Sequence, residues 1–105
     1  MEDQAHSNEI QPERLPEQIL KQAQAGSNEA LTTLYNHYFE RIYRFNFYRV
    51  SHKETAEDLT EEVFVKVFDK LKGLEQPAAF EGWLFQIARN KVIDYYRSKK
   101  QTVAL

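Results

Sequence analysis

The stretch Ser51–Gly73, "SHKETAEDLTEEVFVKVFDKLKG", decides the fold. Ser51 and Glu54 fit an S-x-x-E capping box, and Gly73 supplies a stop, so the spacing predicts a helix ending near Lys72. Projected at about 100° per residue, Ala56, Leu59, Val63, Val67 and Leu71 fall on one stripe, with Phe64 at its edge. Spacings of three and four residues belong to a helix, not a strand, and this stripe is a core face. The opposite face gathers Glu54, Asp58, Glu61, Glu62 and Asp69 around Val65, with Phe68 at their border. Acids at helical neighbour spacing repel one another. The helix N-terminus relieves only those in its first turn. Two readings fit: a solvated face with one stray valine, or an acidic docking strip with an apolar centre, made for a basic partner.

Working outward, the remaining signals are helical too. Pro16 suits a helix first turn and Gly26 a stop, which predicts a short helix from about Pro16 to Ala25. Ser27 or Asn28 caps a second helix, whose Leu31, Leu34, Tyr35, Tyr38, Ile42 and Phe45 form one apolar face. Pro77 opens a fourth helix that runs to about Lys100. No segment alternates as a half-buried strand does. The expected fold is all-α: a compact bundle of about four helices, one short and three long. Residues 1–15 read as a flexible polar tail.

The last helix, "FEGWLFQIARNKVIDYYRSKK" (Phe80–Lys100), mixes aromatic rings with cations. Phe80, Trp83, Leu84 and Ile87 form a core stripe. Phe85, Arg89, Val92, Tyr96 and Lys100 form a second, roughly 120–160° away in the same projection. Such mixtures suit nucleic acid, with cations on phosphates and rings on unpaired bases. The bland reading packs Phe85 and Val92 on a neighbouring helix while the cations reach water. Asp94 projects beside the core stripe, where its carboxylate needs a partner.

Charge supports a division of faces. The net charge is −2, yet residues 54–62 hold five acids and no base, while residues 89–100 hold five bases and one acid. A polyanion-binding protein needs one basic face rather than a basic total. There is no Cys, hence no disulfide or thiolate metal site. His6, His37 and His52 lack metal-ligand spacing, and no phosphate-loop or nucleophile-elbow motif is present. Glu57, Asp58, Glu61 and Glu62 share a helix face that could hold a divalent ion, but nothing else converges on them. No apolar run is long enough to insert in a membrane, and the N-terminus does not read as a signal peptide. No cofactor or metal is expected, and no catalysis.

"AEDLTEEVFVKVFDKL" (Ala56–Leu71) followed by "FEGWLFQIARNKVIDYYRSKK" resembles region 2 of a bacterial sigma factor, in the extracytoplasmic-function (ECF) group of the sigma-70 family. "AGSNEALTTLYNHYFERIYRFNFYRV" fits the start of that region, so the resemblance spans about residues 16–100. The family's D-L-x-Q-E-x-F pattern reads here as Asp58, Leu59, Thr60, Glu61, Glu62, Val63 and Phe64, with Glu61 in place of Gln.

The resemblance implies a cytoplasmic transcription initiation module with no enzymatic activity. It would bind the clamp coiled coil of the largest subunit of core RNA polymerase and then recognise and melt the promoter −10 element. The polymerase contact would comprise Glu54, Asp58, Glu61, Glu62, Val65, Phe68 and Asp69. The non-template strand would meet the loop and first turns of the last helix (Leu74, Glu75, Gln76, Phe80, Trp83). Arg89, Lys91, Arg97, Lys99 and Lys100 would follow the DNA backbone. An anti-sigma partner is implied for many members. Residues 101–105 would begin a linker, the family's second, helix-turn-helix domain lying outside the chain. The rival readings are a helical adaptor or anti-sigma-binding domain that uses the acidic face without touching DNA, and a carboxylate–metal enzyme.

Overall fold

The computed structural model describes the backbone of residues 14–104 and the side chains of residues 14–100. It contains α1 (Glu17–Gln24), α2 (Asn28–Val50), α3 (Lys53–Lys70) and α4 (Phe80–Ala104), with short 3-10 turns at Leu71–Gly73 and Pro77–Ala79. This is the expected all-α bundle of one short and three long helices. The expected tail lies largely outside the described residues. Leu15, assigned to that tail by its polar neighbours, is buried in the core. The helix expected to stop near Lys100 continues to Ala104.

Local chemistry sets each boundary. Pro16 stands just before α1, and its carbonyl accepts from the Ile19 and Leu20 amides. Gly26, at φ 98°, takes the left-handed conformation that ends α1. The Gly26 and Ser27 amides then bond back to Ala23 and Gln22, closing a Schellman motif. The Ser27 hydroxyl accepts from the Ala30 amide at 3.1 Å and caps α2.

The Ser51 capping box does not form. Ser51 is left-handed (φ 56°) and ends α2, its amide bonded to the Phe47 carbonyl. A residue reversing the chain in that conformation cannot also adopt the extended backbone of an N-cap. His52 (φ −145°, ψ 121°) takes that place, and its Nδ1 accepts from the Thr55 amide at 3.2 Å.

The core forms where the helical stripes meet. α2 packs against α1, α3 and α4, and α3 packs against α4. Leu34, Tyr38 and Ile42 of α2 face Val63, Phe64 and Val67 of α3 and Phe80, Leu84 and Ala88 of α4, all buried. One polar pair lies within: the Asn46 amide donates to Thr60 Oγ1 at 3.0 Å, and Thr60 donates to the Ala56 carbonyl at 2.7 Å. Both side chains are fully buried. The pair fixes where α2 crosses α3, because any slip would strand a buried amide.

Candidate functional site

Burying Ala56, Leu59, Val63, Phe64 and Val67 turns the other side of α3 outward. Glu54, Asp58, Glu61, Glu62 and Asp69 are all exposed there. Val65 is 68% exposed and Phe68 41%, so the acids do surround an accessible apolar centre. Glu61 accepts from the Tyr35 hydroxyl at 3.0 Å. Burial, with Glu61 adding to it, raises the Tyr35 pKa above its ordinary value. Phe68 leans on Tyr35 and Phe64, with centroids 6.4 and 6.2 Å apart. A shallow groove of Glu61, Glu62, Val65, Lys66, Asp69 and Lys91 runs along this face. It suits a cationic partner with an apolar contact near its middle.

Lys91 was expected among the DNA-contacting cations. It lies beside the acidic face, its Nζ 3.8 Å from Glu62 Oε1. Helical rotation explains this: Lys91 is two residues from Arg89 and so projects to another side of α4.

The segment between α3 and α4 is held at both ends. Gln24 Nε2 donates to the Leu71 carbonyl at 3.0 Å and to the Leu74 carbonyl at 2.6 Å. Leu74 packs against the core, while Glu75 and Gln76 stay exposed. At the far end, Glu81 Oε2 accepts from the Tyr38 hydroxyl at 2.8 Å and from Arg41 at 3.3 Å. The same hydroxyl accepts from the Leu15 amide at 3.2 Å. Burial, reinforced by Glu81, pushes the Tyr38 pKa up to about 12. Sequence patterns placed Tyr38 on the apolar face of α2 but did not mark the role of its hydroxyl, nor Gln24, Arg41 or Glu81, because each acts through a partner at least 23 residues away.

Phe80 is 1% exposed, as its place on the core stripe predicts, and cannot stack on a base, so its expected DNA contact is withdrawn. It was placed at the reading end of α4, but its ring packs on Tyr38 at 5.4 Å. Trp83 is half-buried against Phe80, centroids 5.8 Å apart, and keeps an accessible edge. Arg89, Arg97, Lys99 and Lys100 are exposed along α4. Arg89 donates to Gln86 Oε1 at 2.8 Å, and Lys99 lies over the Tyr95 ring at 5.6 Å. Asp94 is exposed rather than beside the core, 3.9 Å from Arg97. Val92 is buried and Phe85 packs against the core, so these two members of the second stripe serve the fold.

Among the described residues, no group of three or more His, Cys, Asp or Glu could hold a metal ion. No described helix is long and apolar enough to cross a membrane.

Comparison with known proteins converges on one family. The family model for Sigma-70 region 2 matches residues 34–102. The chain is 39% identical over 84 residues to the ECF RNA polymerase sigma factor BldN of Streptomyces coelicolor, covering 79% of this chain and 32% of that protein. It is 37% identical over 75 residues to the ECF RNA polymerase sigma factor SigX of Bacillus subtilis, covering 71% and 38% respectively. The chain thus spans well under half the length of these relatives. A solved structure of an RsbN–BldN complex contains a chain similar in fold, with a TM-score of 0.68 and 41% identity. That match covers 75% of this chain and 58% of the other.

Proposed function

The chain belongs to the sigma-70 family, as a region 2 domain of the ECF group, and on that premise we propose that it binds core RNA polymerase and recognises and melts the promoter −10 element. The observation that carries the docking half is the outward face of α3, where five exposed acids surround Val65. The clamp coiled coil of the polymerase's largest subunit is the partner assigned to it. Exposed charges add little singly, so affinity rests on Val65 and Phe68, while the acids steer the encounter and set the register.

The braced loop and the exposed edge of Trp83 take the non-template strand. Glu75 and Gln76 present side chains and backbone to an extruded base, and the exposed cations of α4 follow the phosphates. No bond is made or broken. Unstacking a base costs a few kcal/mol, and stacking on a ring returns about 1–3 kcal/mol per base. Opening therefore also needs phosphate contacts and the polymerase. The protein works in the cytoplasm, where the polymerase is.

A second reading has a specific observation behind it. BldN was solved in complex with another protein, RsbN. The same acidic, apolar-centred face fits an anti-sigma partner that excludes polymerase. Binding of this chain to core RNA polymerase, followed by binding of the pair to single-stranded −10 DNA, tests the proposal. Polymerase binding without DNA binding would leave only the adaptor reading.

A further inference from the structure

Phe45 of α2 and Phe85 of α4 meet edge to face, centroids 5.5 Å apart. A guanidinium lies against each ring. Arg49 sits 3.5 Å from the Phe45 centroid, and Arg41 5.4 Å from that of Phe85. Arg89 follows Phe85 by one helical turn and is exposed. Arg41 is matched by Glu81. Arg49 and Arg89, in contrast, form no ion pair with a carboxylate among the described residues. Their hydrogen bonds go to neutral oxygens, the Phe45 carbonyl at 2.9 Å and Gln86 Oε1 at 2.8 Å. Beside Arg49, Tyr48 is 80% exposed, and the Tyr96 hydroxyl donates to the Arg49 carbonyl.

A guanidinium stacked on a ring loses little further freedom when its N–H edge meets a planar or tetrahedral oxyanion. Arg49 is such a group; Arg89, on the facing helix, is steadied instead by its bond to Gln86, and the two, without carboxylates, make an anion anchor. We propose that Arg49 and Arg89, set across the Phe45–Phe85 contact, bind phosphates of duplex DNA adjoining the opened −10 stretch. The anchor recruits α2, to which the function proposed above assigns no DNA contact. It rests on that function for the identity of the polyanion. Arg89 lies about 13 Å along the helix axis from Phe80 at the loop, from a rise of about 1.5 Å per residue. A duplex lying along α4 would span roughly four base pairs over that distance, at ~3.4 Å each. The exposed Arg97 and Lys100 continue along α4 in the same direction.

The test uses this chain with core RNA polymerase and two probes that share one −10 sequence. The first is single-stranded non-template DNA; the second is a fork with a duplex arm beside the −10 stretch. Arg49→Gln is expected to weaken fork binding roughly fivefold to tenfold and to lower its salt slope by about one. Single-strand binding should stay unchanged. Arg49→Lys should restore the salt slope, because it restores the charge. If wild type binds both probes and Arg49→Gln matches it on the fork, the anchor is wrong while the proposed function stands. If wild type binds neither probe, the proposed function falls and the anchor with it. Loss of polymerase binding in Arg49→Gln, with DNA binding intact, would make the seam a dock for an acidic protein segment and overturn the proposal.

Discussion

Gln24 donates from one amide nitrogen to the carbonyl oxygens of both Leu71 and Leu74, tying α1 to the loop before α4. Removing that amide leaves two partly buried carbonyls without their donor, at about 1–2 kcal/mol of stability. Gln24→Ala should loosen the loop more than the bundle. Amide exchange at Gly73–Ala79 should accelerate while the core of α2 stays protected, and base preference at one −10 position should weaken. Unchanged exchange at the loop would show that Leu74 packing alone holds it.

Reversing Glu61 and Glu62 together to Lys should weaken binding to core polymerase at least tenfold while helicity and melting stay near wild type. Both carboxylates are exposed, and each gives up only one surface contact, to Tyr35 or Lys91. Normal core binding by the double variant would remove α3 from the interface.

The buried Tyr38 hydroxyl predicts an alkaline dependence. Its folded pKa of about 12 stands above the ordinary 10.0, so the folded state favours the protonated phenol. The stabilisation, of order 1–3 kcal/mol, is complete below pH 10 and is lost as pH rises from about 10 to about 12. Tyr38→Phe should flatten the fall in unfolding free energy across that window. An equal fall in both proteins would assign it to other groups.

Thr60→Val should cost about 1–3 kcal/mol by stranding the buried Asn46 amide. Adding Asn46→Leu should recover part of that loss, since removing both partners costs less than orphaning one. Chemical denaturation of the two single variants and the double variant measures the coupling; additive losses would show that the pair does not set the crossing.

Phe80→Ala should cost about 3–5 kcal/mol, as a fully buried ring does. Trp83→Ala should cost clearly less, since its ring is only half-buried, yet it should impair promoter opening more than its melting temperature explains. Thermal melting beside an opening assay separates the two. If Trp83→Ala opens promoters normally, its exposed edge is not used.

The sequence by itself determined the helix count, most boundaries and the two charged faces. Those rest on local chemistry: the Pro and Gly stops, the Ser27 cap, and apolar residues repeating at three and four. Burying the stripe from Ala56 to Leu71 leaves Glu54, Asp58, Glu61, Glu62 and Asp69 nowhere to go but outward. Even the error at Ser51 was local in form, since serine is a good cap in isolation. Only the α2–α3 reversal, which needs a left-handed residue there, passed the cap to His52. Tertiary structure alone decided the rest. Lys91 was set beside Glu62 of another helix. Leu15 was drawn into the core, Asn46 was matched to Thr60, and Gln24 was set as the brace of a loop some 50 residues away. These are pairings between side chains distant in sequence. Periodicity assigns a residue to a face of its own helix, and only the packing of helices decides what that face meets.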